Sequence, residues 1–166
     1  PQKRGQHPRT CGIKKGAKRM SDYTSIPASL KSLKQWVCYR LEPNEKKGKP
    51  DKVPYNPRTG YRAKANDPST WADYETAANA AGGYDGIGIE FANGIFGVDL
   101  DHVIENGELT AQAQDIIKTL DSYTEYSPSG TGVHILCRGE IPPGERRSGS
   151  VEMYSEGRFF TVTGNV

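Results

Sequence analysis

The chain has 166 residues, 34% of them hydrophobic, with 19 glycines and 11 prolines. That length supports one domain with its own core, and the composition suits a loop-rich α/β arrangement rather than a helical bundle. No stretch is long and apolar enough to span a membrane, no apolar signal segment opens the chain, and Cys11, Cys38 and Cys137 are too widely spaced for a zinc ribbon or a disulfide framework, so the expected setting is reducing and cytoplasmic.

The formal charge of +2 conceals a split. Residues 1–19 hold seven basic residues and no acid, which leaves 15 basic against 20 acidic residues in the remainder. Two readings of this tail stand. It is a disordered basic arm for nucleic acid, or it is an over-extended gene start. The second rests on the first methionine being Met20, and on Lys15-Gly16-Ala17-Lys18-Arg19-Met20 back-translating to a purine-rich ribosome-binding sequence before a start codon. The folded domain is expected over residues 20–166.

In chain order, residues 26–33 predict a short helix with Pro27 in its first turn. Residues 35–41 predict a strand, followed by a lysine-rich polar loop. Residues 71–81 predict a helix capped by Ser69 and ended by Gly82-Gly83. Residues 86–91 form a strand that Ala92-Asn93-Gly94 turns, as a hairpin, into a strand over residues 95–101. His102 is expected on the core face with Val98 and Leu100. Residues 110–120 are helical with Thr110 as cap, and residues 122–126 lead into a glycine-rich turn and the strand that carries His134. A Pro/Gly/Arg loop follows, in which Arg146 and Arg147 are candidates for a polynucleotide backbone. Residues 151–154 and 159–162 read as two arms of a hairpin with Ser155-Glu156-Gly157 at its tip.

Three segments carry chemistry. In Val98-Asp99-Leu100-Asp101, strand alternation puts both carboxylates on one face, where they repel unless a positive charge lies between them. Hard Mg²⁺ or Mn²⁺ suits carboxylate oxygen, although two solvated surface acids satisfy the same pattern. In Ser127-Pro128-Ser129-Gly130-Thr131-Gly132-Val133-His134, the glycines permit a concavity of backbone N–H groups for phosphate, with His134 facing away from Val133 and Ile135. Taken alone, the segment reads more simply as a hairpin turn followed by a structurally satisfied histidine. In the third segment, Glu152 and Tyr154 share a strand face, and Arg158 follows as a candidate phosphate contact.

Taken in this order, the three motifs resemble the archaeo-eukaryotic primase superfamily, in its phage- and plasmid-type primase-polymerase branch. The resemblance covers about residues 21–166 and extends to residues 51–60 and 67–71. It implies an α+β fold: an RRM-like, mixed or antiparallel catalytic sheet with flanking helices. It implies Asp99, Asp101 and Glu152 as catalytic, metal-binding acids for Mg²⁺ or Mn²⁺, and Ser129, Gly130, Gly132, His134 and Arg158 as nucleotide-binding residues. Lys52, Asn56 and Tyr154 are weaker candidates for nucleotide or template contact. The implied activity is template-directed nucleotide transfer to a 3′-hydroxyl in phage or plasmid replication. Its partners would be a single-stranded DNA template, nucleoside triphosphates and a replicative helicase, in the cytoplasm of a bacterial or phage-infected cell. A degenerate, non-catalytic module that grips nucleotide or single-stranded DNA for a helicase is the competing class. A rolling-circle nicking enzyme needs a His-x-His pair, which the chain lacks.

Overall fold

The computed structural model describes residues 22–166, so the expected basic tail lies outside the described residues. Three short helices, α1 (Ala28–Lys31), α2 (Tyr74–Ala80) and α3 (Ala111–Leu120), accompany eleven strands. One sheet takes β1 (Trp36–Glu42), β2 (Asp51–Tyr55), β3 (Gly86–Glu90) and β11 (Phe159–Val162) in the order β11-β3-β1-β2. The second takes β4 (Ile95–Leu100), β7 (Tyr123–Tyr126), β8 (Val133–Arg138), β9 (Arg147–Ser148) and β10 (Val151–Tyr154) in the order β7-β8-β4-β10-β9. A two-residue hairpin, β5 (Ile104–Glu105) with β6 (Glu108–Leu109), lies between β4 and α3. Every strand pair among the described residues is antiparallel, so the α+β expectation holds and the sheets are not mixed.

Two expected hairpins are crossovers. Asn93-Gly94 does not pair β3 with β4, because β3 pairs with β1 and β11 while β4 pairs with β8 and β10. Likewise Ser155-Glu156-Gly157 carries the chain from β10 in one sheet to β11 in the other. In both places the turn chemistry is right but the strands find better apolar partners elsewhere. The hairpin that does form on Asn-Gly is β5–β6, with Asn106 and Gly107 at φ 53° and 85°.

Local signals set most element ends. Thr110 caps α3 by accepting from the Ala113 N–H, and Asp121 ends it in the left-handed region. For α2 the cap is Asp73, whose carboxylate accepts from the Thr76 N–H and hydroxyl. Ser69 instead lies in a single 3₁₀ turn that Asp67 caps, so the helix starts later than expected. His102 also departs from expectation. It is exposed in the turn after β4 at φ 55°, not on the core face.

Two apolar cores position the site. The first packs Trp36, Cys38, Ile87, Ile89, Phe160 and Val162 of the first sheet on α1, on Ala77 of α2, and on Ile95 and Leu136 of the second sheet. The other packs Val98, Leu100, Val133, Ile135 and Cys137 on α3 through Ala113, Ile116, Ile117 and Leu120. The second sheet is therefore apolar on its α3 face. Its other face is apolar only at the Ile95–Leu136 end, and the remainder carries the charged side chains.

Candidate active site

Strand register builds the site. Glu125 on β7 stands opposite His134 on β8, His134 opposite Asp99 on β4, Asp99 opposite Glu152 on β10, and Glu152 opposite Arg147 on β9. Five ionisable residues thus form one row across the five strands, all on one face. His134 Nε2 lies 3.9 Å from Asp99 Oδ1, and His134 Nδ1 lies 3.8 Å from Glu125 Oε1. At the edge of the sheet, Arg147 pairs with Glu152 at 3.0 Å.

Asp99 is the least satisfied member. Its Oδ1 is buried and has no hydrogen-bond partner. Burial pushes its carboxyl above the usual carboxylate range; Asp101 and Glu152 add to that push, while His134 and Lys52 oppose it. Two carboxylates directly across an antiparallel pair repel, and the Arg147 guanidinium offsets that repulsion only on the Glu152 side. Glu152 is engaged on both sides, by Arg147 and by the Tyr154 hydroxyl that donates to its Oε2. Asp101 is exposed just past the end of β4, where its N–H donates to the Ser150 carbonyl at 2.9 Å. Consequently, among the described residues, no three carboxylate, imidazole or thiol groups converge as a ready ligand set. The expectation that all three acids meet before any ion arrives fails for that reason.

A cleft of about 420 Å³ opens over the row between the two sheets. Asp99, His134 and Glu152 line it from one side, and Lys52, Phe160 and Thr161 from the other. Lys52 reaches from β2 to within 3.4 Å of the Thr161 hydroxyl; burial lowers its pKa, and the charges of Asp99 and Asp101 offset only part of that. Arg158 sits at the mouth with its guanidinium 4.2 Å from the Tyr154 ring centre. Acids on one wall and cations on the other suit a ligand that brings both a metal and phosphates.

His134 is fixed from three directions. Its ring stacks on Phe160 with centroids 4.5 Å apart and an interplanar angle of 21°. Its Nδ1 donates to the Thr161 carbonyl at 3.1 Å, which leaves Nε2 facing Asp99. Gly97 makes the stack possible: a Cβ there would lie 2.3 Å from the Phe91 ring and 2.4 Å from the Phe160 ring.

Other expected residues fall elsewhere. Ser129 and Gly130 lie in the exposed β7–β8 turn, where the Ser129 hydroxyl bonds Ser127 and Thr131 and Gly130 adopts φ 73°. None of them lines the cleft. Gly132 is glycine for packing, since a Cβ would meet the Leu100 carbonyl oxygen at 2.3 Å. The turn therefore abuts the end of β4 that bears Asp101. Asn56 is buried and spends its side-chain oxygen on the N–H groups of Arg58 and Thr59. These bonds shape the turn over residues 56–59. Arg147, expected on a polynucleotide backbone, holds Glu152 instead.

Sequence reasoning missed Glu125. It is 1% exposed and accepts from the Tyr123 hydroxyl and from the N–H groups of Thr163 and Gly164. The only signal was its parity with Tyr123 on a short strand, and that does not reveal the register against β8.

The fold and cleft thus define an antiparallel α+β domain with a carboxylate pair facing phosphate-compatible cations. The chain is 34% identical over 155 residues to the DNA primase-polymerase of Nitratiruptor phage NrS-1, a match that takes in 85% of this chain. It bears out the resemblance to the phage-type primase-polymerase domain. The chain spans 21% of the length of that relative. No family model matches.

Proposed function

We propose that this domain carries out metal-dependent nucleotidyl transfer as the catalytic part of a DNA primase-polymerase in phage or plasmid replication. The observation that carries the reading is the registered Asp99–Glu152 pair, with a buried, partnerless Asp99 oxygen, under a cleft walled by Lys52 and Arg158. The strand order supports it. Read as β10-β4-β8-β7 with α3 between β4 and β7, the second sheet follows the order of an RRM-like sheet, with no second helix between β8 and β10.

Asp99, Glu152 and Asp101 are hard oxygen donors of the kind that suit Mg²⁺ or Mn²⁺. When bound, the divalent cations supply the charge that activates a primer 3′-hydroxyl and stabilises the leaving pyrophosphate. The chain's own residues do the rest. Lys52 and Arg158 place positive charge where a triphosphate enters. His134, held by Phe160 and Thr161, directs Nε2 toward the Asp99 side of the cleft, where an incoming nucleotide can accept or donate a hydrogen bond. Tyr154 carries Arg158 on its ring and anchors Glu152. Single-stranded DNA and nucleoside triphosphates are the partners this chemistry requires, and a helicase is a further partner on the same reading.

The closed Arg147–Glu152 ion pair favours a second reading, a non-catalytic module that binds nucleotide or single-stranded DNA. Primer extension and de novo priming on single-stranded DNA with Mn²⁺ separate the two. The wild-type chain should extend. Asp99→Asn and Glu152→Gln should each lose about 100-fold or more, the scale of removing one transition-state charge contact, while folding as well as the wild type. An inactive wild type that still binds nucleotide would establish the second reading.

A further inference from the structure

Arg147 stands out among the cations of this face. It is the direct cross-strand partner of Glu152 and lies 3.0 Å from its carboxylate. Its side chain is 71% exposed, whereas that of Glu152 is 16% exposed. It belongs to a two-residue strand at the edge of the sheet, in a loop that Arg146 ties back through the Pro142 carbonyl at 2.9 Å. Arg147 offsets the charge of Glu152 and leaves the buried Asp99 oxygen without a hydrogen-bond partner. Half of a repelling pair is therefore balanced by the protein itself.

We infer that Arg147 is a resident counter-ion for Glu152, and that a divalent cation gains Glu152 by exchange with its guanidinium. The inference rests on the reading of Asp99 and Glu152 as cation ligands. Three features of the pair favour exchange over a permanent contact. An ion pair with one largely exposed partner contributes little, so giving it up costs little. An edge strand with solvent beyond it lets the arginine swing outward without disturbing the core. The positions also conflict electrostatically: a guanidinium against Glu152 and a dication between Glu152 and Asp99 repel within a few ångströms. The pair holds Glu152 oriented on the correct face until the ion arrives, and it sets the affinity for that ion.

The test uses the full chain and Mn²⁺ alone, with no nucleotide, and reads free Mn²⁺ by electron paramagnetic resonance during titration. Arg147→Gln should bind Mn²⁺ more tightly than wild type, by roughly 3- to 10-fold at low ionic strength. Arg147→Lys should fall between them, because a point charge pairs less well with a carboxylate than the planar fork does. Added KCl should narrow the gap between wild type and Arg147→Gln. Asp99→Asn should lose most Mn²⁺ binding and serves as the site control. Exposure of Arg147 makes misfolding a minor concern, and circular dichroism of each variant checks it. Unchanged or weaker Mn²⁺ binding in Arg147→Gln, with the Asp99→Asn loss intact, overturns the exchange and leaves the cation site standing. A wild type that binds no Mn²⁺ overturns the cation site, and the exchange with it.

Discussion

Glu90 shows how far one residue can act on this fold without touching substrate. It lies at the end of β3, opposite Phe159, fully buried, and neither carboxyl oxygen has a hydrogen-bond partner. Burial pushes its carboxyl from 4.5 up to about 7. Below the lower value the group is neutral in the folded and unfolded chain alike. As pH rises toward 7 the unfolded chain releases its proton first, so the fold loses stability across that window, by up to about 3 kcal/mol. Glu90→Gln removes the titration. Urea unfolding at pH 5 and pH 8 should show the variant gaining about 1–3 kcal/mol on wild type between the two. An equal difference at both pH values would mean that Glu90 is not held neutral by burial.

At the level of elements, β4 is the spine of the site. It pairs with β8 on one side and β10 on the other, and so brings Asp99 between His134 and Glu152. Glycines set the distances at its two ends. Gly97 admits the Phe91 and Phe160 rings, and Gly132 admits the Leu100 carbonyl. Gly97→Ala should cost about 1–3 kcal/mol, the usual cost of overpacking, because two rings must move. Gly132→Ala meets backbone instead of a ring and should cost at least as much. It should also shift amide resonances at Asp101 more than at Asp99. Chemical denaturation and NMR of the two variants check both points.

Across the whole molecule, Phe160 is the joint between sheets. It is buried in the first core, edge-on to Phe91 at 4.7 Å, and stacked on His134. Stability and function therefore share a side chain. Phe160→Ala should destabilise by about 3–5 kcal/mol and raise the KM for nucleotide. Phe160→Leu should recover most of the stability by filling the space but keep the raised KM, because the flat stacking surface is gone. Thermal melts and steady-state primer extension separate these effects. Recovery of both by leucine would show that the ring serves packing alone.

Local pattern determined much of this protein. The α3 boundaries follow from Thr110 and an apolar stripe, and β4 and β8 from alternation. The order of the three motifs carries the primase-polymerase resemblance. Tertiary structure decided which strands pair. Asn93-Gly94 and Ser155-Glu156-Gly157 read as hairpin turns, yet each passes the chain between sheets, because burying Phe160 and Ile89 together outweighs closing a local ladder. Register was decided there as well, and register alone made neighbours of Glu125, His134, Asp99, Glu152 and Arg147. A sequence states which side chains alternate along one strand. It does not state which residue of a distant strand stands opposite, since a slip of one position reverses the faces, and only the packed cores exclude the slipped alternatives.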